Sequence, residues 1–518
     1  MHAKYYSLFL LVILASPLCF AFTPSTGIPM PIQHSSAAIA DTTSFVRGPT
    51  VNLVTNESAL IFWRTEGVTN ATVWYGLNTS VIESVVNTTL DTDHRIQLTG
   101  LEIDSKYFYK VSSNNTESAL YHFRTAPPDG EEFKMIVIGD NRPASISYIQ
   151  PDEFKQLAQM IIDEAPHIVI MSGDYVLDVS ADDSYNLAGW AAFTNISDSI
   201  GHYAPIYGAL GNHDTGAKTG TLRLQYYFDA FEHYNEPSTY FSFDYAGTHF
   251  AIIDTEIQHY EGRITGDQYT WLVNDLESSD CSIKYVVGHR PMYPLSHIGD
   301  SIDSNPTERA RLQQLFEDQN VTAYICGHDH LFDRLTVNGL VHLISGGGGA
   351  PPYDTFWGDA YYHYMRINSS YSHVNMSTIK LNGEIGYNYQ LPYLGPLEIA
   401  IRVLGNGSTA QTGTLPEIYF SEEPSQIYYS WDLGVNQTEL TGLPNINGQH
   451  SLDVYALDSD DVWTHERFVL TTVGATPTTT APPPLVLDPL LIGGIAVAGI
   501  VVVVVVIVFR RRQVPLSG

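Results

Sequence analysis

Six short clusters rich in Asp, Asn and His each follow an apolar run in the middle of the chain. They are Gly139-Asp140-Asn141-Arg142, Gly173-Asp174-Tyr175, Gly211-Asn212-His213-Asp214, Asp254-Thr255-Glu256, Gly288-His289-Arg290-Pro291 and Gly327-His328-Asp329-His330. Carboxylate, amide and imidazole donors without cysteine suit Zn²⁺, Fe, Mn²⁺ or Ni²⁺ rather than a structural thiolate site. Two such ions ~3.5–4 Å apart can share a hydroxide and clamp a phosphoryl group for in-line displacement. Glycine ahead of a donor lets the backbone turn sharply and approach a ligand closely. One Gly-Asp alone is an ordinary turn; the set, in this order and each behind an apolar run, points to a site.

The flanking runs show what must carry these clusters. Phe133-Lys134-Met135-Ile136-Val137-Ile138, Ile168-Val169-Ile170-Met171, Lys284-Tyr285-Val286-Val287 and Thr322-Ala323-Tyr324-Ile325-Cys326 are almost continuously apolar, as strands are when both faces are covered. Helical stretches at 152–164 and 307–318 alternate with them. This texture predicts an α/β domain over 132–385, with ligands gathered beyond the carboxyl ends of its strands. Outside it, short runs alternate apolar and polar residues between turns. About seven such runs in 45–127, among them Ala59-Leu60-Ile61-Phe62-Trp63, predict an N-terminal β-sandwich. Those of 386–473, among them Tyr428-Tyr429-Ser430-Trp431, predict a second sandwich similar to immunoglobulin-like modules.

The motifs resemble those of calcineurin-like metallophosphoesterases, and more narrowly the purple acid phosphatases with their N-terminal fibronectin type III-like domain. Gly211-Asn212-His213-Asp214, Gly288-His289-Arg290-Pro291-Met292-Tyr293 and Gly327-His328-Asp329-His330 carry the resemblance. It implies a two-sheet sandwich flanked by helices and two metal ions, which could be Fe, Zn, Mn or Ni. It further implies that Asp174 bridges the ions, that Asp140 and His330 bind the first, and that Asn212, His289 and His328 bind the second. His213 would act on the phosphate or the leaving oxygen, with Asp214 holding its ring. Gly346-Gly347-Gly348-Gly349 resembles a loop of this family that lies near the site, and a flexible turn reads equally well.

Two positions depart from the pattern. The wider family often has His two residues after the first Asp, where this chain has Arg142; purple acid phosphatases have Tyr three residues after the second Asp, where it has Leu177. Water, Asn141 or a nearby carboxylate is left to complete the first metal, and a tyrosinate colour is not expected. Arg142 is expected to grip the substrate phosphate with its fork, and His297, on the loop after Gly288-His289, is a second candidate contact. His202 and His342 read as structural.

The ends speak to location. Residues 1–21 have the positive start, short apolar run and small residues of a signal peptide. After a Thr/Pro linker at 474–488, residues 489–509 are uncharged and long enough to span a bilayer. Arg510, Arg511 and Arg512 then predict a short cytoplasmic tail at 510–518. Eleven Asn-x-Ser/Thr sequons suit an exported glycoprotein, and Cys281 and Cys326 read as buried free thiols in strands. With 25 basic against 56 acidic residues the formal charge is −31, which repels nucleic-acid backbones but not a small phosphate held by metals. The chain is thus expected to be multidomain: a cell-surface phosphomonoesterase, single-pass, acting on a phosphorylated small molecule or surface phosphoprotein. A phosphodiesterase on the same site and an inactive surface adhesion or receptor module are the alternatives.

Overall fold

The computed structural model of the chain describes residues 44–473 except 146–147, 178–182, 216–221, 232–237, 356–357, 392–398, 403–408, 412, 414, 421–423, 433, 445–446 and 458–462. The expected signal peptide, linker, membrane span and tail lie outside these residues. Among the described residues no helix is long and apolar enough to cross a membrane.

The N-terminal strands are β1 (Phe45–Asn52), β2 (Ser58–Gly76), β3 (Glu83–Thr99), β4 (Lys106–Ser113), β5 (Thr116–Glu117) and β6 (Tyr121–Arg124). Six strands appear where about seven short runs were expected, because β2 and β3 are each continuous through a break in register near residues 64–71. The first half of β2 pairs with β1 and the end of β3; its second half pairs with β4 and the start of β3. Ile61 and Trp63 from the first half and Val73, Tyr109 and Phe123 from the rest share one core. Trp63 donates from Nε1 to Ser113 Oγ at 2.9 Å, so its buried polar atom is satisfied.

Two six-stranded sheets follow. One runs β18-β17-β16-β7-β8-β9, from strands β7 (Phe133–Ile138), β8 (Ile168–Met171), β9 (Ile206–Gly208), β16 (His363–Ser370), β17 (His373–Lys380) and β18 (Ile385–Leu391). The other runs β10-β11-β12-β13-β15-β14, from β10 (Phe241–Tyr245), β11 (Thr248–Ile252), β12 (Ile283–Val287), β13 (Ala323–Cys326), β14 (Phe332–Val337) and β15 (Leu340–Ser345). The sheets face each other across one core: Met135 and Val137 of β7 meet Tyr285 and Val287 of β12 there. The alternate residues turn outward. Ile136 and Ile138 pack under helices α1 (Asp152–Glu164), α2 (Asp183–Gly201) and α3 (Leu222–Ala230), while Val286 packs under α4 (Gly266–Ser278) and α5 (Pro306–Asp318). Both faces of each central strand are therefore dry, which is why the runs are apolar without alternation. The sequence placed two helices within a residue of their positions. α5 starts at Pro306, with Asn305 Oδ1 accepting the Glu308 amide at 3.2 Å, a cap followed by a proline that needs no amide partner.

Two expectations need correction. β18 pairs with β17 over its whole length, so the central domain extends to Leu391 and not to 385. As an edge strand that packs Tyr389 on the inner core and leaves its other face open, β18 alternates like the sandwich beyond it. Cys281 precedes β12 and is only half-buried, whereas Cys326 closes β13 and is buried; both are free thiols. The C-terminal strands β19 (Ile399–Arg402), β20 (Thr409–Gln411), β21 (Glu417–Phe420), β22 (Gln426–Trp431), β23 (Gly448–Leu457) and β24 (Trp463–Val473) form a β19-β21 pair and a β20-β24-β23-β22 sheet. Leu452, Val454, Phe468, Leu470 and Ile399 fill the core between them.

The N-terminal sandwich is latched to the central domain. Arg47 pairs with Asp198 of α2 at 3.0 Å and donates to the Asp229 and Ala230 carbonyls. Tyr109 donates to the His202 carbonyl, and His202 reaches Pro49 O at 2.6 Å and stacks on Tyr121, in keeping with a structural His202. His342, bonded to Gln313 at 3.0 Å, is likewise internal.

Candidate metal centre

The loops after β7, β8 and β9 in one sheet and after β12 and β13 in the other converge at one edge of the sandwich. Their backbones are held in an uncommon conformation. Asp140, Asp174 and His328 all have left-handed φ, at 57°, 59° and 69°, which non-glycine residues adopt only where the surroundings hold them. The glycines permit close contact. A Cβ on Gly211 would lie 2.2 Å from Asp174 N, and one on Gly327 2.2 Å from Asp140 Oδ2. The glycine run belongs to the same layer: Gly348 N donates to Gly139 O, Ala350 N donates to Asp140 O, and a Cβ on Gly346 would lie 2.9 Å from Asp140 Oδ2. Close approach, not flexibility, explains it.

One donor set is nearly complete. His289 donates from Nδ1 to Ser172 O at 2.8 Å, leaving the Nε2 lone pair to face inward. That Nε2 lies 3.0 Å from Asn212 Oδ1, 3.2 Å from His328 Nδ1 and 3.4 Å from Asp174 Oδ1. A tetrahedron with bonds of 2.0–2.1 Å has edges of about 3.3 Å, and the three donors around His289 Nε2 lie at about that spacing from it.

A second set of donors gathers around Asp140. His330 donates from Nδ1 to Pro351 O at 3.0 Å, and its Nε2 is 3.6 Å from Asp140 Oδ1. Ligand atoms of Asp140, Asp174 and His289 all fall within 4.8 Å of one another. Burial pushes Asp140 far above the usual carboxylate range, with the Asp174 charge adding to it. Burial works the same way on Asp174, but His289, His213 and Arg142 together pull it below that range. Two buried acids in mutual conflict are what a cation would reconcile. Burial also holds His289 and His330 down to about 4, keeping both imidazoles neutral, as metal ligands must be.

The remaining expected residues are distributed differently. His213, half-buried at the mouth, has Nε2 4.0 Å from Asp174 Oδ2. Asp214 does not hold its ring. The Asp214 carboxylate accepts the amides of Gly211, Asp174, Tyr175 and Val176, because the buried β8 loop leaves those donors no other partner. Arg142 turns inward, away from the position of a free phosphate fork: Nε donates to Asp174 Oδ2 at 3.0 Å, Nη1 to Pro143 O at 3.1 Å, and Nη2 reaches His330 Nε2 at 3.5 Å. His297 lies at the mouth, its ring 4.0 Å from that of His328 and its Nδ1 2.7 Å from Asp329 Oδ1.

Two residues escaped the sequence reading. Asp329 also accepts the amides of Leu295, Ser296 and His297 and the Ser296 hydroxyl, fixing the His297 loop; its place inside Gly-His-Asp-His was the available signal. Tyr353 stacks on His330 at 4.2 Å with its hydroxyl 3.4 Å from Nε2, and only its nearness to the glycine run hinted at this. Tyr175 is no substitute for the missing tyrosine, since it is buried and donates to the Met171 and Ala209 carbonyls. The Asp254 cluster is a brace: Glu256 takes Arg290 in a two-pronged bond at 2.8 and 2.9 Å, holding the loop behind His289.

Residues 133–332, the span that contains every one of these clusters, match the family model of calcineurin-like phosphoesterases. The chain carries a calcineurin-like phosphoesterase domain. Its homologues include purple acid phosphatases. Purple acid phosphatase 23 of Arabidopsis thaliana is 23% identical over 325 residues, 54% of this chain and 67% of that relative. Probable inactive purple acid phosphatase 1 of the same plant is 24% identical over 310 residues, and the chain spans about half of its length, 49%. A purple acid phosphatase from yellow lupin (Lupinus luteus) seeds superposes with a TM-score of 0.53 at 20% identity, over 67% of this chain and 73% of that one, a likeness of fold. Purple acid phosphatase-like phosphoesterases use a dinuclear metal centre, and the phosphoesterase domain here has a buried Asp-Asp-His group. Asp140, Asp174 and His289 offer ligand atoms mutually close enough for such an ion, Asn212 and His328 lie at 3.0 and 3.2 Å from His289 Nε2, and His330 lies 3.6 Å from Asp140.

Proposed function

We propose that the chain is a dinuclear-metal phosphatase that hydrolyses phosphate monoesters at the outer face of a cell, tethered by residues 489–509. The observation that carries the enzymatic part is the spacing of 3.0–3.4 Å from His289 Nε2 to Asn212, His328 and Asp174, with His330 Nε2 3.6 Å from Asp140 Oδ1. Bound metals would supply Lewis acidity and a water acidic enough to attack near neutral pH. Asp174 holds the two donor sets in register. His213, whose Nε2 lies 4.0 Å from Asp174 Oδ2, meets the substrate phosphate or gives a proton to the leaving oxygen. His297, aligned by Asp329, faces the same opening as a second phosphate contact. The tether, an outward-facing glycosylated surface and a fibronectin type III-like N-terminal domain rest on the sequence patterns above, and the substrate would be a phosphorylated small molecule or surface phosphoprotein.

The test is hydrolysis of p-nitrophenyl phosphate and bis-p-nitrophenyl phosphate by protein loaded with Zn²⁺, Mn²⁺, Fe or Ni²⁺. Asn212→Ala and His328→Ala are expected to remove turnover, and faster cleavage of the diester would replace the monoesterase reading with a diesterase. An inactive surface module is a second reading, favoured by the guanidinium of Arg142 lying on Asp174 and His330. Absence of turnover with every metal would establish it.

A further inference from the structure

The two donor sets differ in one respect that bears on how they fill. Beside the Asn212 set the nearby Arg290 is engaged by Glu256 and Asp300. Beside the Asp140 set, Arg142 contacts two of the three donor residues through the atoms that a metal would need, Asp174 Oδ2 at 3.0 Å and His330 Nε2 at 3.5 Å. The contact is built in. The side chain is about 10% exposed, its Nη1 is tied to Pro143 O at 3.1 Å, and its own amide donates to Asp174 O at 3.1 Å.

We propose that Arg142 is an internal competitor for the first metal, so that the two positions fill in order: the Asn212 set tightly, the Asp140 set weakly and only as the guanidinium is displaced from Asp174 and His330. This rests on the metallophosphoesterase reading. Arg142 places one positive charge against Asp174 and His330, where a divalent ion must bind. The Asn212 set meets an incoming ion with three neutral donors and the shared carboxylate, and nothing has to leave.

Calorimetric titration of metal-stripped full-length protein, purified in detergent, with Zn²⁺ or Mn²⁺ tests this without reference to turnover. Wild-type protein should take up one tight equivalent and a second at least tenfold weaker, and Asn212→Ala should remove the tight one. Arg142→Gln, which drops the charge, should tighten the second equivalent at least tenfold; Arg142→Met is a second charge-removing variant should the first misfold. Arg142→Lys, which keeps the charge, should bind like wild type. Two equivalents of equal affinity in wild type would overturn the proposal, as would a second equivalent unchanged in folded Arg142→Gln, or loss of the weak equivalent instead of the tight one in Asn212→Ala. No tight binding at all would instead sink the underlying metal-centre reading, so the two failures are told apart.

Discussion

Asp214 Oδ2 accepts the backbone amide of Asp174 at 2.9 Å. The acid that follows His213 thereby fixes the loop that carries the carboxylate shared by both donor sets, and it acts through backbone geometry, not through the histidine. Asp214→Asn keeps the size but turns an N–H₂ toward amides that already donate. A hydrogen bond to a charged group contributes roughly 1.5–3 kcal/mol. Thermal unfolding of the variant should show a loss of about that size, accompanied by a fall of at least tenfold in kcat/KM.

Gly211→Ala asks whether close approach is what the site needs from its glycines. The new Cβ would lie 2.2 Å from Asp174 N and 2.4 Å from Asp174 Oδ1, distances that only backbone movement can relieve. Metal binding and turnover should both drop at least tenfold. Gly339→Ala, whose Cβ meets nothing within 4 Å, is the control at the tight turn (φ 80°) between β14 and β15, and it should alter stability alone.

Arg47→Met should uncouple the N-terminal sandwich. The Arg47–Asp198 pair is about 10% exposed on both sides, and breaking such a pair costs roughly 3–5 kcal/mol because a buried charge is stranded. Denaturant unfolding followed by Trp fluorescence should change from one transition to two, the sandwich melting first. An unchanged single transition would show that the latch is not what joins the domains.

Two histidines should shape stability in opposite pH directions. His249 lies between Asp244 at 2.7 Å and Asp275 at 2.9 Å; burial works against its charge, but bonds to Asp275 and Asp244 raise it above the ordinary value. A pKa raised on folding stabilises fully below the unfolded value of about 6.5 and is lost as pH rises through the folded value. Melting temperature should therefore decline on the alkaline side, and His249→Gln should flatten that limb. His363, held down to about 4 by burial, does the reverse: its contribution is present above about 6.5 and lost as pH falls toward 4. His363→Gln should flatten the acid limb.

Much of the domain was legible before any coordinates. The helices at 152–164 and 307–318, the dry strands ahead of each cluster and the Asp, Asn and His clusters themselves are local features. Period, cap and motif are carried by neighbours in the chain, so they survive being read in one dimension. The boundary near 391 was not legible, because an edge strand such as β18 has one open face and alternates like the sandwich strands that follow it.

By itself, then, the sequence determined which side chains could hold metal and that they sit at the ends of buried strands. Only the tertiary structure decided what their neighbours do. Asp214 serves four amides because the β8 and β9 loops meet there. Arg142 lies on Asp174 and His330, 32 and 188 residues away along the chain, and Tyr353 stacks on an imidazole from another loop. Such contacts join segments brought together by the packing of two sheets, and no local pattern encodes which of them will touch.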